Sequence, residues 1–385
     1  MNHFPHPNLQ IISFAILLAF ASLTVNAQDS MERWQNFDFT KSALKSADVV
    51  SVPLEDLTLM RGIIFGRHGR VFKDAAIRTY LEEQDWYKPN PDFQNSMLNA
   101  TERNNLDLIR VAEASKHETL QPGDMRYWRT RALTARKLGK HSGAEWLVLR
   151  SEMEAIHGKR FESDPWLQQY FDERYWYKAG KYDPKSLSTI EQKNLATLTL
   201  AQKRSRKIAL APGDMELFEN RVISEQMLHG LSLYELRLLR NEVYARHGRS
   251  FQAPWLAQYF FGQPWYQPDD NFKDEQLSGS DKTNVETIVA YETKIHDDLS
   301  RKPITRSLLE GLFVEDASQM RQEIYARRGK VFKEKWLQKY FESLAWYKAD
   351  PNFSDNSLTE VERRNIATIA AYEKKAVSAM SVIEG

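Results

Sequence analysis

The sequence predicts an all-α protein, organised as a tandem repeat of small three-helix modules that are joined by helical linkers. The first observation behind this prediction is a residue pattern that recurs four times along the 385 residues. The second is the helical spacing of apolar residues within the copies, as at Leu236, Leu239 and Val243. The third is that no segment alternates apolar and polar residues with the two-residue period of a strand.

Each copy is recognised by a residue pair that precedes a basic side chain. The four pairs are His68-Gly69, His157-Gly158, His247-Gly248 and Arg328-Gly329. An Arg lies seven residues before each pair, a Trp-Tyr pair follows it, and each copy closes with an Asn seven residues after a Leu. The recurring positions are Arg61, Arg150, Arg240 and Arg321; Trp86-Tyr87, Trp176-Tyr177, Trp265-Tyr266 and Trp346-Tyr347; and Asn105, Asn194, Asn284 and Asn365. Matches at fixed spacings indicate one repeated module.

These spacings set the predicted boundaries of the segments. A signal peptide occupies residues 1–27 and an N-terminal segment residues 28–49. The repeats occupy residues 50–118, 141–207, 230–300 and 301–380, and the second of them is degenerate. Helical linkers occupy residues 119–140 and 208–229, and both contain the sequence Pro-Gly-Asp-Met.

The N-terminal segment predicts export. Residues 9–25 are largely apolar and uncharged, and small residues follow up to Ala27, which is typical of a signal peptide and its cleavage site. An uncleaved membrane anchor is the alternative, because the positive charge before the apolar stretch is weak. We therefore expect a secreted or periplasmic protein without a membrane segment after cleavage.

Composition excludes several function classes. Without cysteine there is no disulfide framework, no thiol nucleophile, no thiolate metal ligand and no lipoprotein anchor. Lys+Arg 53 against Asp+Glu 52 is a balance, so no overall field favours nucleic acid or anionic lipid. The chain also lacks a phosphate-binding glycine loop and zinc-protease or hydrolase motifs.

The ends of the helices can be placed from capping signals. The first helix of a module begins with a capping box, as at Ser232 and Glu235, and ends at a glycine such as Gly248, which adopts the left-handed conformation easily. A short second helix and a polar loop follow. The third helix opens with another capping box in every copy: Asn99/Glu102, Ser188/Glu191, Ser278/Asp281 and Thr359/Glu362.

His247 raises the question of chemistry. It could be a general base or a metal ligand, or it could donate a hydrogen bond to the free carbonyls of the last helical turn. The fourth copy carries Arg328 at this position, and a guanidinium is neither a base at neutral pH nor a metal ligand. We therefore expect a non-enzymatic protein without metal or cofactor, in which His247 donates to the backbone.

The other recurring polar residues are expected to be structural. Arg240 and Asn284, with their equivalents, should make buried hydrogen bonds to loop backbone, and an Arg clamp on an anionic ligand is the alternative. Glu242–Arg246 and Glu323–Arg327 should pair at i,i+4 as dispensable surface contacts. The predicted structural motif comprises Arg61, His68, Gly69, Arg150, His157, Gly158, Arg240, Gly248, Asn284, Arg321, Arg328, Gly329 and Asn365.

Aromatic residues are the candidates for binding. Flat rings stack on sugars or peptides, but a small module also needs bulky aromatics in its core. The candidate binding residues are Tyr244, His247, Trp255, Trp265, Tyr266, Trp346 and Tyr347. Binding through these loops requires that Trp265 and Tyr266 are exposed.

The third copy resembles the YARHG domain, a bacterial extracellular module, through Tyr244-Ala245-Arg246-His247-Gly248. The fourth copy reads YARRG, the first FGRHG and the second EAIHG. The resemblance of the second copy therefore depends on the residues that flank this motif. The resemblance implies export from a bacterium but no established activity and no catalytic residues.

Together these observations predict an exported, non-enzymatic tandem-repeat binding protein of the bacterial cell envelope. The first hypothesis is a multivalent glycan or cell-wall binder. The second is a protein-interaction scaffold in the periplasm or outside the cell, and the third is a degenerate enzyme that is active only in the third copy.

Overall fold

The structure is a computed structural model that describes residues 33–72, 74–205 and 209–381. These residues form helices and contain no β-strand, which confirms the predicted all-α class. The predicted signal peptide lies outside the described residues. Within the described ranges, no helix combines the length and apolar character that crossing a bilayer requires.

Each module contains a first helix, a short second helix and a third helix. They are α1 Leu54–Gly66, α2 Ala75–Glu82 and α3 Ala100–Lys116 in module 1, and α4 Gly143–Ala155, α5 Pro165–Asp172 and α6 Thr189–Arg204 in module 2. Module 3 has α7 Leu233–Ala245, α8 Pro254–Phe261 and α9 Gly279–Asp298. Module 4 has α10 Val314–Ala326, α11 Lys335–Glu342 and α12 Glu360–Glu373.

The linkers are helical only in short turns. The first contains Met125–Trp128 and Ala135–Leu138, and the second contains the 3₁₀ turns Asp214–Phe218 and Glu225–Leu228. Continuous helices were expected here. Gly123 and Gly213 have φ of 109° and 108°, which the helix does not allow, and Asp214 accepts a hydrogen bond from the Ala211 amide and so forms a local turn.

Backbone contacts divide the chain into two compact units, each with its own core. The first comprises residues up to Lys137 together with Glu173–Lys178, and the second comprises Leu138–Asp172 and the residues from Ala179 onward. In every module the first helix packs against the third. The predicted core residues Leu236, Leu239 and Val243 are buried in the second unit, where each contributes about 1.5–3 kcal/mol of burial free energy.

The predicted helix ends are confirmed. Capping boxes form at Ser232 of α7 and at the start of all four third helices, namely Asn99, Ser188, Ser278 and Thr359. Gly248 has φ of 87°, and its carbonyl accepts a 2.7 Å hydrogen bond from the Asp269 amide. A side chain at Gly248 would lie against Asp269, so this glycine also permits a close approach of two backbones.

Candidate functional site

The recurring His joins the end of the first helix to the start of the third. His247 Nε2 lies 2.9 Å from Asp281 Oδ2, and Arg328 Nε donates to Glu362 Oε1 at 2.8 Å. The equivalent contacts are His68–Glu102 at 2.7 Å and His157–Glu191 at 2.9 Å. The predicted backbone partner is therefore wrong, because the partner is a carboxylate.

The carboxylate in this cation–carboxylate pair is the acid of the capping box. Asp281 Oδ2 also accepts a hydrogen bond from the Ser278 backbone amide, and Glu362 Oε2 accepts one from that of Thr359. Burial raises the pKa of Asp281, but hydrogen bonds from His247 and Ser278 outweigh burial and lower it. Burial likewise raises the pKa of Glu362, but hydrogen bonds from Arg328 and Thr359 outweigh burial and lower it. The same buried carboxylate thus caps the start of the third helix and pairs with the cation at the end of the first helix.

The recurring Arg pairs with an acid near the end of the third helix. Arg61 meets Glu113 at 3.2 Å, Arg240 meets Glu292 at 2.5 Å and Arg321 meets Glu373 at 2.8 Å. The predicted bond from this Arg to loop backbone is therefore wrong. Module 2 has Gln202 at the acidic position, and Arg150 Nε has no hydrogen-bond partner among the described residues.

The recurring Asn does hold loop backbone, as predicted. Asn284 Oδ1 accepts from the Ile223 amide, while its Nδ2 donates to the carbonyls of Phe218 and Arg221. Asn105 and Asn365 make the same three bonds to residues 39–44 and 299–304. In modules 1, 3 and 4 the segment that precedes the first helix is therefore hydrogen-bonded to the third helix of its own module.

The Trp-Tyr loops are used largely within the module. Tyr266 Oη donates to the Arg249 carbonyl at 2.8 Å and its residue is only 7% exposed, while Tyr347 Oη donates to the Lys330 carbonyl at 2.8 Å. Arg246 covers the Trp265 ring at 4.3 Å. The requirement for open rings at Trp265 and Tyr266 is therefore not met, because a hydroxyl bond and a guanidinium already use them.

The remaining candidate aromatics are partly covered. Arg249 lies 4.5 Å from the Tyr244 ring centroid. Trp255 is half-buried between Tyr234 and Phe313, at ring distances of 5.7 and 5.1 Å. His247 is half-buried as well and is already paired with Asp281. None of these three offers an unobstructed stacking surface.

The i,i+4 pairs Glu242–Arg246 and Glu323–Arg327 form as predicted, but they are not isolated surface contacts. Glu242 is buried, and its Oε2 also accepts a 2.6 Å hydrogen bond from the Gly213 amide of the preceding linker. Arg246 Nη2 donates to the Gly213 carbonyl at 3.1 Å. The pair therefore holds the linker at the junction of modules 2 and 3.

An open cleft of about 430 Å³ lies between modules 3 and 4. Its lining consists of residues from α7, α9, α10 and α11 and from the loop after α11. Tyr340 and Trp346 stand at this cleft with 38% and 37% of their surfaces exposed. Arg327 covers the Trp346 ring at 4.6 Å, whereas the Tyr340 ring contacts Phe341 edge-on at 5.1 Å.

Ion pairs form the polar lining of this cleft. Arg237 meets Asp316 at 2.8 Å, Arg240 meets Glu292 at 2.5 Å, and Arg327 meets Asp297 at 3.0 Å. His296 Nδ1 lies 2.6 Å from Glu323 Oε2. The positive and negative groups are balanced, so the cleft has hydrogen-bonding capacity without a strong net charge.

Two lining groups have shifted pKa values. Burial lowers the pKa of His296, but the hydrogen bond and charge of Glu323 outweigh burial and raise it. Burial raises the pKa of Glu292 more than Arg240 lowers it. Within the described residues, no group of three or more His, Asp or Glu residues is arranged to hold a metal ion. The cleft is therefore suited to binding through rings and hydrogen bonds.

Of the residues that line this cleft, the sequence analysis named only some as candidates for binding. Trp346 was a candidate, whereas Tyr340 and His296 were missed. Tyr340 does belong to a recurring series with Tyr80, Tyr170 and Tyr259, and that recurrence was the available signal. His296 carries no such signal, since its role depends on how α9 lies beside α10.

These contacts define a class of protein, a tandem helical repeat whose modules are each closed by a cation–carboxylate pair and an Asn that holds the preceding segment. The family model of the YARHG domain matches residues 35–114, 124–203, 214–293 and 294–374. The chain therefore belongs to the YARHG domain family, with four copies covering most of its length. No curated protein and no solved structure matches the chain.

Proposed function

We propose that this protein is an exported, non-enzymatic binding protein of the bacterial cell envelope that takes a glycan at the cleft of modules 3 and 4. The observation that carries the proposal is the pair of partly exposed rings, Tyr340 and Trp346, beside a lining of balanced ion pairs. A sugar ring presents apolar C–H faces to aromatic rings and hydroxyls to charged side chains. The balance of charge favours a neutral saccharide over a strongly anionic polymer.

The contacts of the Trp-Tyr loops favour one principal saccharide site at the cleft over four equal sites, one in each module. In modules 1, 3 and 4 an Arg covers one face of the Trp and a backbone carbonyl accepts from the Tyr hydroxyl, so these loops offer little free ring surface, and the cleft adds Tyr340 to the exposed part of Trp346. Membership of the YARHG family supports a location outside the cytoplasm. We therefore expect affinity to depend on the cleft rather than on the number of copies.

A non-enzymatic role is supported by the hydrogen-bond partners of the recurring His residues. His247 is paired with a capping acid, and Arg328 takes the same part in module 4. Ser186 Oγ lies 3.5 Å from His157 Nδ1, but its hydroxyl donates to the Asp183 carbonyl at 2.7 Å. That serine proton is directed away from the imidazole, which disfavours a Ser-His nucleophile.

The test is binding of the full mature chain to insoluble peptidoglycan and to soluble N-acetylglucosamine oligomers, measured by pull-down and calorimetry. We expect Tyr340→Ala to weaken binding about five- to tenfold, because a stacked aromatic ring contributes about 1–1.4 kcal/mol. Phe261→Ala is the matched control, since Phe261 is an exposed aromatic on α8 that does not line the cleft.

Circular dichroism checks that both variants are folded. The proposal fails if Tyr340→Ala binds as tightly as the unmodified chain, or if Phe261→Ala loses as much affinity. Failure of both saccharide probes to bind the unmodified chain also overturns it.

A further inference from the structure

In modules 2 and 3 the second helix carries a Trp that packs onto an aromatic residue further along the chain, either in the linker before module 3 or at the start of α10. Trp166 of α5 lies 5.0 Å from Phe218, and Trp255 of α8 lies 5.1 Å from Phe313, measured between ring centroids. Both Phe rings are buried. The Trp is therefore a docking residue wherever another module follows it within the second unit.

The matching residue of module 4, Trp336 of α11, meets no such ring among the described residues and is 70% exposed. In the first unit, by contrast, Trp34 is buried and stacks on Phe39 at 6.4 Å, so this Trp is covered by a ring of its own unit. One docking Trp of this chain is thus left uncovered.

Charge distinguishes the face around Trp336 from the equivalent face of module 3. Lys333, Lys335 and Lys339 are all exposed beside it. The equivalent residues around Trp255 are Gln252, Pro254 and Gln258, none of which is charged. Glu334 and Glu342 also lie on this short segment, but the three lysines outnumber the two acids, so the segment keeps a net positive charge.

The covered Trp255 shows which chemistry such a face accepts. Phe313 is the residue that caps α10, and Glu315 and Asp316 follow in its first turn. Asp316 is held by Arg237, whose guanidinium lies 5.8 Å from the Trp255 ring. The occupant therefore combines an aromatic side chain at a helix start with acids directly behind it.

We propose that the Trp336 face, defined as Trp336 with Lys333, Lys335 and Lys339, docks a partner protein that presents an aromatic residue at a helix start followed by acidic residues. The existing contact at Trp255 supplies the geometry, and the three lysines supply the charge complementarity. A second copy of this chain fits less well, because two such faces carry like charges and the Phe313 that a copy could offer is already buried against its own Trp255.

The probe is a fluorescent peptide with the sequence of residues 309–326, which contains the Phe-Val-Glu-Asp segment, titrated with the full mature chain. We expect measurable binding that Trp336→Ala weakens at least tenfold. A triple change of Lys333, Lys335 and Lys339 to Gln should weaken it several-fold and flatten its salt dependence. A peptide with Phe313→Ala should lose most of the affinity.

Because Trp336 is mostly exposed, its Ala variant should keep the melting temperature of the unmodified chain, and Phe261→Ala again serves as the control. The proposal is overturned if the peptide does not bind, or if it binds the Trp336→Ala variant equally. It is also overturned if sedimentation shows a dimer that Trp336→Ala dissolves, or if vesicles with anionic lipid bind through the same residues. Saccharide binding depends on Tyr340, so the two proposals fail separately.

Discussion

The junction of modules 2 and 3 and that of modules 3 and 4 use the same two charged residues in different ways. At the first, Glu242 and Arg246 bind the amide and the carbonyl of Gly213, which belongs to the linker. At the second, the equivalent Glu323 and Arg327 bind the side chains of His296 and Asp297. Backbone partners fix the linker at the first junction, whereas side-chain partners line the cleft at the second.

The difference between the two junctions shows how a tandem repeat can acquire a binding site without a new sequence motif. Modules 3 and 4 share their internal contacts, and the residues that differ are those that meet Glu242 and Glu323 from the segment before each module. A backbone partner has a fixed position and does not titrate, whereas an imidazole partner can rotate, lose its proton or contact a ligand. The predictions below are ordered by the size of the expected effect on the free energy of unfolding.

The strongest test compares the two acids. Glu242→Gln should lower the free energy of unfolding by about 3 kcal/mol, since it leaves the half-buried Arg246 without its buried counter-charge. Glu323→Gln should cost about 1 kcal/mol, because His296 and Arg327 border the open cleft and regain water. Urea denaturation measures both, and equal losses would remove the distinction between the junctions.

The second test concerns Asp214 of the linker at the junction of modules 2 and 3. Burial raises its pKa to about 7, and nearby Glu145 and Glu242 add to this increase. The unfolded chain ionises this acid near 3.8, so the folded chain binds the extra proton and stability falls as pH rises from about 4 to 7. Asp214→Asn should remove this loss and add about 2 kcal/mol at pH 8.

Thermal denaturation of both proteins at pH 5 and pH 8 measures this effect. The variant should already melt somewhat higher at pH 5, because the unfolded chain has lost the proton that the folded chain keeps, and the difference should be larger at pH 8. A variant that melts lower at both pH values would show that the carboxylate itself is needed to hold the turn at Ala211.

The smallest effect is expected at His296 of the open junction. Its folded pKa is raised above 6.5, so its contribution is complete below about pH 6.5 and is lost as pH rises through the raised value. His296→Gln should therefore flatten that part of the stability profile. Because the side chain is 37% exposed, the change should stay below about 1 kcal/mol.

The measurement is the melting temperature of the unmodified chain and of His296→Gln at half-unit intervals from pH 5.5 to 9. His229→Gln is the matched control, since His229 is an exposed imidazole outside the cleft. Parallel profiles for all three proteins would contradict the assigned role of His296.

Local features of this fold could be predicted from the sequence, whereas its long-range pairings were only partly predicted. Capping boxes and the left-handed Gly248 depend on neighbouring residues, and they were confirmed. The Asn284 bonds to backbone were also predicted, because an invariant amide in an apolar helix needs buried partners. The acid that pairs with His247 was missed, although an acid lies 34 residues after the His or Arg in all four copies.

The cleft could not be predicted because it depends on the angle between consecutive modules. The shared residues fix the interior of a module, and they recur on both sides of each junction. Of the residues that decide the outcome, Gly213 lies in a linker sequence that precedes only modules 2 and 3, and His296 lies outside the repeated pattern.

The double use of Asp281 has a consequence for how a module opens. Because the same carboxylate starts α9 and holds the end of α7, fraying of the first turn of α9 also releases His247. The two helix ends are therefore a single cooperative unit of local unfolding, although 34 residues separate them along the chain. In hydrogen exchange, the amides at both ends would share one opening rate, which makes each module a foldon rather than three independent helices.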